Sequence, residues 1–277
     1  MRDFLRQISF AMVAMLAFLG TVEAGVVPPN QSANGHTQLD WSQQWWQWAL
    51  GIPTSGNPLL DTSGSQAQLD NNRGVFFLAG SISGVPINRT IAVPFGKPVF
   101  FPVVNNVDAE IASPTCFQTA PADPLACALA FITGTIDNAT NLSASVDGVE
   151  VLNDTNKGPF RQTSTSFFDL TLPPGNLLGL PPGSYPGSGV SDGYWVMLDG
   201  LTPGTHTVSF RGTEPGVTVD VTDTLLVFVP EPSAALLLLS GIAALVAVAR
   251  SRFRRRRYLV LRHCSTLPRL RSANSVR

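Results

Sequence analysis

Histidine, cysteine and charge are scarce in this chain, and each scarcity removes a class of chemistry. Of 277 residues three are histidine and three cysteine, and charged residues make up 13%. His36 lies in a Pro/Asn/Gly-rich stretch and His263 beyond a run of arginines, so His206 is the one histidine in strand-like sequence. A single histidine on a strand reads as structural. No cysteine between residues 25 and 230 has a histidine beside it, no ligand spacing fits zinc, and no Gly-rich loop opens a helix to cradle phosphate. A Gly-x-Ser-x-Gly nucleophile elbow is missing too, because the Gly80 to Gly84 stretch places Ile82 at its centre. Carboxylates are the groups left for acid/base work.

Basic residues are scarcest in the middle of the chain. Between residues 25 and 230 there are six, Arg73, Arg89, Lys97, Lys157, Arg161 and Arg211, against sixteen Asp and Glu, a net charge near −10. The whole-chain value of −1 averages this acidic body with a basic end. A field of that sign repels nucleic acid and anionic lipid, and leaves cations, neutral glycans and other proteins as partners.

Charge is missing altogether from residues 233–249. These seventeen residues, at about 1.5 Å each, make a helix of roughly 25 Å, close to the hydrocarbon thickness of a bilayer. Pro230 and Pro232 stop a helix from running back into the preceding segment, and Glu231 suits the positive end of its dipole. Arg250, Arg252, Arg254, Arg255, Arg256 and Arg257 crowd the far end, which the positive-inside rule keeps in the cytoplasm while everything before Pro230 lies outside. At the other terminus Arg2 and Arg6, an apolar stretch over residues 8–19 and Val22-Glu23-Ala24 make a secretory signal peptide over residues 1–24, cleaved before Gly25.

Val229-Pro230-Glu231-Pro232-Ser233, the uncharged run and the arginine block of residues 250–257 together resemble the PEP-CTERM sorting tail, here residues 229–257. The resemblance implies an exosortase-type processing enzyme as partner. It also implies a precursor anchored in the inner membrane, and a final place at the cell surface or in an extracellular, exopolysaccharide-containing matrix. Tails of that family stop soon after the arginines. Here residues 258–277 continue as a basic cytoplasmic extension with Arg262, Arg269, Arg271 and Arg277.

Residues 25–38 read as a flexible leader. A helix follows, with Asp40 as cap, Trp41, Trp45 and Trp48 on one face, and Gly51 and Pro53 ending it. Strands are expected over residues 75–79, 90–93, 98–104, 143–151, 166–172, 194–198, 205–211 and 217–228, with Asp147-Gly148 as a hairpin turn. Asp123 and Pro124 open a second helix. The fold class is therefore mainly β: a β-sandwich over residues 39–228 with one or two short helices, followed by a single C-terminal transmembrane helix. Cys264 lies beyond the arginines, so Cys116 and Cys127 form the candidate disulfide, two buried thiols being the alternative.

Several blocks resemble a widespread group of exported bacterial and archaeal proteins of unknown activity: residues 45–50, Asn57-Pro58 with Asp61, residues 76–80, Gly96-Lys97 with residues 100–105, Val146-Asp147-Gly148, residues 192–198 and residues 203–207. The resemblance implies a fold and no reaction. Relatives often carry cysteines near Gln68 and near Ile91, and the absence of both here corresponds to one lost disulfide.

Three groups of residues are candidates for binding. Trp41, Trp45, Trp46 and Trp48 either pack across an open sheet face or form an aromatic platform for sugar rings. Asn105, Asn106, Asp108 and Glu110 form an oxygen-rich loop of the kind a calcium ion or a glycosidase acid/base pair uses, as do Asn153, Asp154 and Asn156 in a second loop. Residues 172–191 read as a long irregular loop. Calcium is the one cofactor these donors suit; otherwise none is expected. The expected function is a non-catalytic surface or matrix protein that binds glycan or protein. The alternative is a secreted carbohydrate-active or other hydrolase using Asp108 or Glu110.

Overall fold

Alternating apolar and polar side chains put one face of most strands in the core, and the result is two sheets. The computed structural model of the protein describes residues 25–111 and 115–230. Its strands are β1 (Gly25–Val26), β2 (Phe76–Phe77), β3 (Ile87–Pro94), β4 (Val99–Ala109), β5 (Thr140–Val146), β6 (Val149–Asn153), β7 (Arg161–Thr163), β8 (Phe168–Leu172), β9 (Gly183–Asp199), β10 (Gly204–Glu214) and β11 (Val217–Phe228). Sheet I runs β1-β9-β4-β2, with β7 and β8 also paired to β9, and sheet II runs β3-β11-β10-β5-β6. The helices are α1 (Gln38–Leu50), α2 (Cys116–Thr119) and α3 (Pro124–Asp137). The fold is mainly β.

One apolar core lies between the sheets. Phe101, Val103 and Val196 of sheet I meet Ile91, Leu142, Val208, Phe210 and Val221 of sheet II. A second core lies on the other face of sheet I, where α1 packs its indoles against Phe77, Phe100, Leu170 and Trp195. The buried face of α1 is therefore the tryptophan face expected from its spacing. Its cap is not Asp40: the Thr37 hydroxyl accepts from the Asp40 N–H, and the Asp40 carboxylate accepts from the Thr37 N–H, a reciprocal capping box.

Residues 25–38 do not form a flexible leader. Gly25 and Val26 pair with Asp199 and Leu198, and the Val27 N–H donates to the Met197 carbonyl. Gln38, the first residue of α1, fastens the stretch further by donating its side-chain amide to the Val27 and Pro28 carbonyls. Little apolar surface was needed, because backbone pairing to β9 supplies the order.

Residues 183–191, expected as loop, are the first half of β9. The sequence hides this strand behind glycines that its neighbours require. A Cβ at Gly189 would lie 2.7 Å from the Phe168 ring, and one at Gly193 would lie 2.7 Å from Asn105 Cβ. Only residues 173–182 connect β8 to β9. Asn105, Asn106 and Asp108 likewise belong to β4 and not to a loop, since β4 stays paired with β9 as far as Ala109.

Among the described residues no helix is long and apolar enough to cross a membrane. The expected signal peptide over residues 1–24, most of the expected sorting motif, the expected span over residues 233–249, the arginine block and residues 258–277 lie outside the described residues.

Candidate functional site

Strand alternation separates the first oxygen-rich group. Asp108 stands opposite Val190, which packs beneath Cys116, Ala128 and Ile132, so its carboxyl lies on the face covered by α2 and α3. Asn105 stands opposite Gly193, and Val107, Ala109 and Ile111 pack on the tryptophan side of the sheet. The structure thus brings Asp108 and Glu110 together and leaves Asn105 out of their company.

Asp108 and Glu110, two residues apart on one face of the strand end, are close enough to act on each other electrostatically. Burial, followed by the nearby Glu110 side chain and the repulsion of its charge, pushes Asp108 up to about 6. Asp108 Oδ2 is buried with no partner. Glu110 also accepts a hydrogen bond from the Cys116 N–H, at the first residue of α2, where a carboxylate suits the exposed amides of a helix start. A disulfide joins Cys116 to Cys127 and ties α2 to the first turn of α3. Glu110 is therefore part of the clamp that holds the two helices on sheet I.

One row along, Asp192 stands opposite Asn106. It accepts from Arg161 Nε at 3.0 Å, from Arg161 Nη2 at 2.5 Å and from the Thr163 hydroxyl at 2.8 Å, while Arg161 Nη1 reaches Asp137 at the end of α3 at 2.6 Å. The Asp192 bonds in particular raise the Arg161 guanidinium further above its ordinary range. Among the described residues no three His, Cys, Asp or Glu side chains converge as a metal cluster. The amide oxygens of the second loop are spent on their own turn: Asn153 Oδ1 accepts from the Thr155 and Asn156 N–H groups, and Asn156 Oδ1 accepts from the Asn153 N–H, while Asp154 stays exposed and meets Lys157 at 3.4 Å.

The four tryptophans offer no stacking platform. Trp41, Trp45 and Trp48 are 2%, 0% and 2% exposed, and Trp46 is 8% exposed. Three of them satisfy their indole N–H on backbone carbonyls, Trp41 on Ala33, Trp45 on Leu78 and Trp48 on Leu69. Their rings pack edge-to-face, as in Trp45 against Trp195 at 5.4 Å. This helix is core because sheet I has no other cover on that face.

His206 is engaged on both nitrogens. Nδ1 lies 2.8 Å from Asp147 Oδ2 and Nε2 lies 2.9 Å from the Thr202 carbonyl, while Asp147 Oδ1 accepts from the Thr207 N–H. Burial would raise Asp147, but the bonds from His206 and Thr207 outweigh it and hold the carboxyl below its usual range. The pair locks the β5–β6 turn onto β10.

The outer face of sheet II carries a different surface. Ser145, Ser209, Thr222 and Asn88 stand in one row across four strands, Thr207, Thr224 and Thr90 in the next, and Ser143, Arg211 and Asp220 in a third. A shallow cleft of about 400 Å3 is lined there by Ser143, Ser145, Glu150, Ser209, Arg211 and Asp220. Arg211 and Asp220 approach only to 3.9 Å and stay accessible. Sequence reading missed this face. Its signal was the serine and threonine at every second position of β5, β10 and β11.

No family model, curated protein or solved structure matches this chain.

Proposed function

We propose that the chain is the precursor of an exported, non-catalytic surface or matrix protein, whose two sheets form a β-sandwich that binds neutral glycan on the open face of sheet II. On this reading residues 1–24 direct export, the tail of residues 229–257 anchors the precursor in the inner membrane and presents it to an exosortase-type enzyme, and the released domain remains outside the cell.

The observation that carries the reading is where the folded unit ends. The compact unit closes at Val229, the first residue of the sorting motif. The hydroxyl rows of sheet II support the ligand class, because each Ser or Thr both donates and accepts, as a sugar hydroxyl does. Their near-neutral face suits an uncharged polymer better than a polyanion, which the acidic domain repels.

Two measurements test this. Mass spectrometry of the protein made with and without an active exosortase-type enzyme is expected to find Gly25 as the first residue in both, and loss of Arg250 to Arg257 only with the enzyme. Arg277 still attached to protein released from such cells would overturn the sorting reading. On a glycan array the mature protein is expected to bind neutral glycans without calcium, with Arg211→Ala and Ser209→Val weakening the signal; silence across the array would leave a protein-binding role.

A further inference from the structure

Four large apolar side chains are uncovered at one corner of the domain: Phe95, Leu226, Phe228 and Val229, which are 47%, 43%, 45% and 59% exposed. Hydrogen bonding and register make them neighbours. The Phe95 N–H donates to the Phe228 carbonyl at 2.8 Å, Phe228 stands beside Pro94, and Leu226 stands beside Ala92. Leu225 and Val227 fill the core, so Leu226 and Phe228 point outward. None of these residues, nor Thr205 opposite Leu226 on β10, is a carboxylate, in a domain whose acids outnumber its bases by ten.

The corner is also the exit of the chain. Val229 is the last residue of the compact unit. Four residues separate Phe228 from Ser233, the first of the uncharged run. Even fully extended, that connection spans at most roughly 17 Å, and two of its residues are proline, which prevents it from coiling as part of a helix. The headgroup layer on each side of a bilayer is about 6 Å deep. With the uncharged run spanning a bilayer, as the tail reading has it, so short a connection would keep this corner at or near the headgroups.

We propose that the corner formed by Phe95, Leu226, Phe228 and Val229 is a lipid-docking edge that sinks into the outer headgroup layer while the precursor is tethered, and so seats the domain against the bilayer. The inference rests on the tail reading above and adds an orientation to it. Aromatic and aliphatic side chains at this level are stabilised by the mixed polar and apolar surroundings of the interface. Lys97, two residues after Phe95, brings a cation to the same turn; its Nζ donates to the Arg73 carbonyl at 2.8 Å. Four side chains are too few to hold a free protein on a membrane, but the tether raises the effective concentration to roughly millimolar. Cleavage of the tail removes that concentration, and the edge then lets go.

The opposite end provides an internal control. Phe131 on α3 is 69% exposed, and α3 packs where β4 carries Asp108, most of the length of that strand away from Val99. The test uses the full chain with Cys264→Ser, reconstituted in phosphatidylcholine vesicles and carrying an environment-sensitive fluorophore at Phe95→Cys or at Phe131→Cys. The expected result is blue-shifted emission at position 95, quenched by lipids spin-labelled near the headgroup, with neither effect at position 131. Phe228→Asp with Leu226→Asp is expected to abolish the shift while the chain still sediments with vesicles. A chain that sediments with vesicles but shows water-like emission at both positions would overturn the docking edge and leave the tail reading standing. A chain that fails to associate with vesicles at all would overturn both.

Discussion

Arg89 on β3 and Asp223 on β11 stand side by side in the parallel register of sheet II, and their side chains meet at 2.7 Å with 2% and 0% of each exposed. Both point into the core between the sheets. Arg89 also donates to the carbonyls of Ala79 and Gly80, so one guanidinium ties two strands of sheet II to the segment that follows β2. A single buried partner lost leaves a charge with no compensation. Arg89→Met is therefore expected to destabilise the domain by about 3–5 kcal/mol in urea unfolding, and Arg89→Met with Asp223→Leu to recover much of that. A double variant no more stable than the single one would contradict the pairing.

Two buried acids set a pH dependence opposite to that of a salt-bridged carboxylate. Burial pushes Glu214, whose Oε2 has no partner, up to about 7, and Asp108 lies at about 6. The folded state holds these protons more tightly than the unfolded chain does. The contribution of these two groups to stability is therefore fully present below the ordinary carboxylate range and is lost as pH rises through about 6 to 7. Glu214→Gln is expected to flatten that fall and to gain roughly 1–2 kcal/mol at pH 8, allowing for partial solvent screening. Unfolding midpoints across pH 4 to 8, for wild type and variant, decide the matter.

Trp45 and Trp46 are adjacent, both buried, and differ in one bond. Trp45 donates its indole N–H to Leu78, whereas Trp46 Nε1 has no partner. Trp45→Phe strands the Leu78 carbonyl and is expected to cost about 1–3 kcal/mol more than Trp46→Phe in chemical denaturation. Equal costs would mean that ring volume, and not the hydrogen bond, dominates.

The disulfide closes a short loop, with Cys116 and Cys127 separated by 11 positions. Reduction, or Cys116→Ser with Cys127→Ser, is expected to cost about 2–3 kcal/mol. It should also free the first-turn amides of α2 for hydrogen exchange before β9 and β10 exchange. Uniform protection loss across the domain would place the bridge in the global core instead.

Local signals in the sequence were readable where one residue type answers one local demand. Asp147 and Gly148 both have positive φ, 50° and 81°, as a tight hairpin turn requires, and Asp123 caps α3 through the Ala126 N–H as its position before Pro124 suggests. β9 was hidden because its glycines answer neighbours that are remote in sequence, Phe168 and Asn105. The same limit applied to charge. Nothing local says that Arg89 meets Asp223 or that Arg161 meets Asp192, because those encounters are made by strand register. The tryptophans posed the reverse problem: their spacing defined a face, while the choice between core and platform depended on whether sheet I lay beneath them.

β9 is the partner of β1, β4, β7 and β8, and it comes from the last third of the domain. A chain that emerges amino end first therefore delivers Gly25 and Val26 long before Leu198 and Asp199 exist to receive them. Sheet I has no early half that can close by itself, and β3 waits in the same way for β11. The order of synthesis thus keeps both sheets open until nearly the whole domain is available, which leaves the polypeptide threadable for as long as it is incomplete.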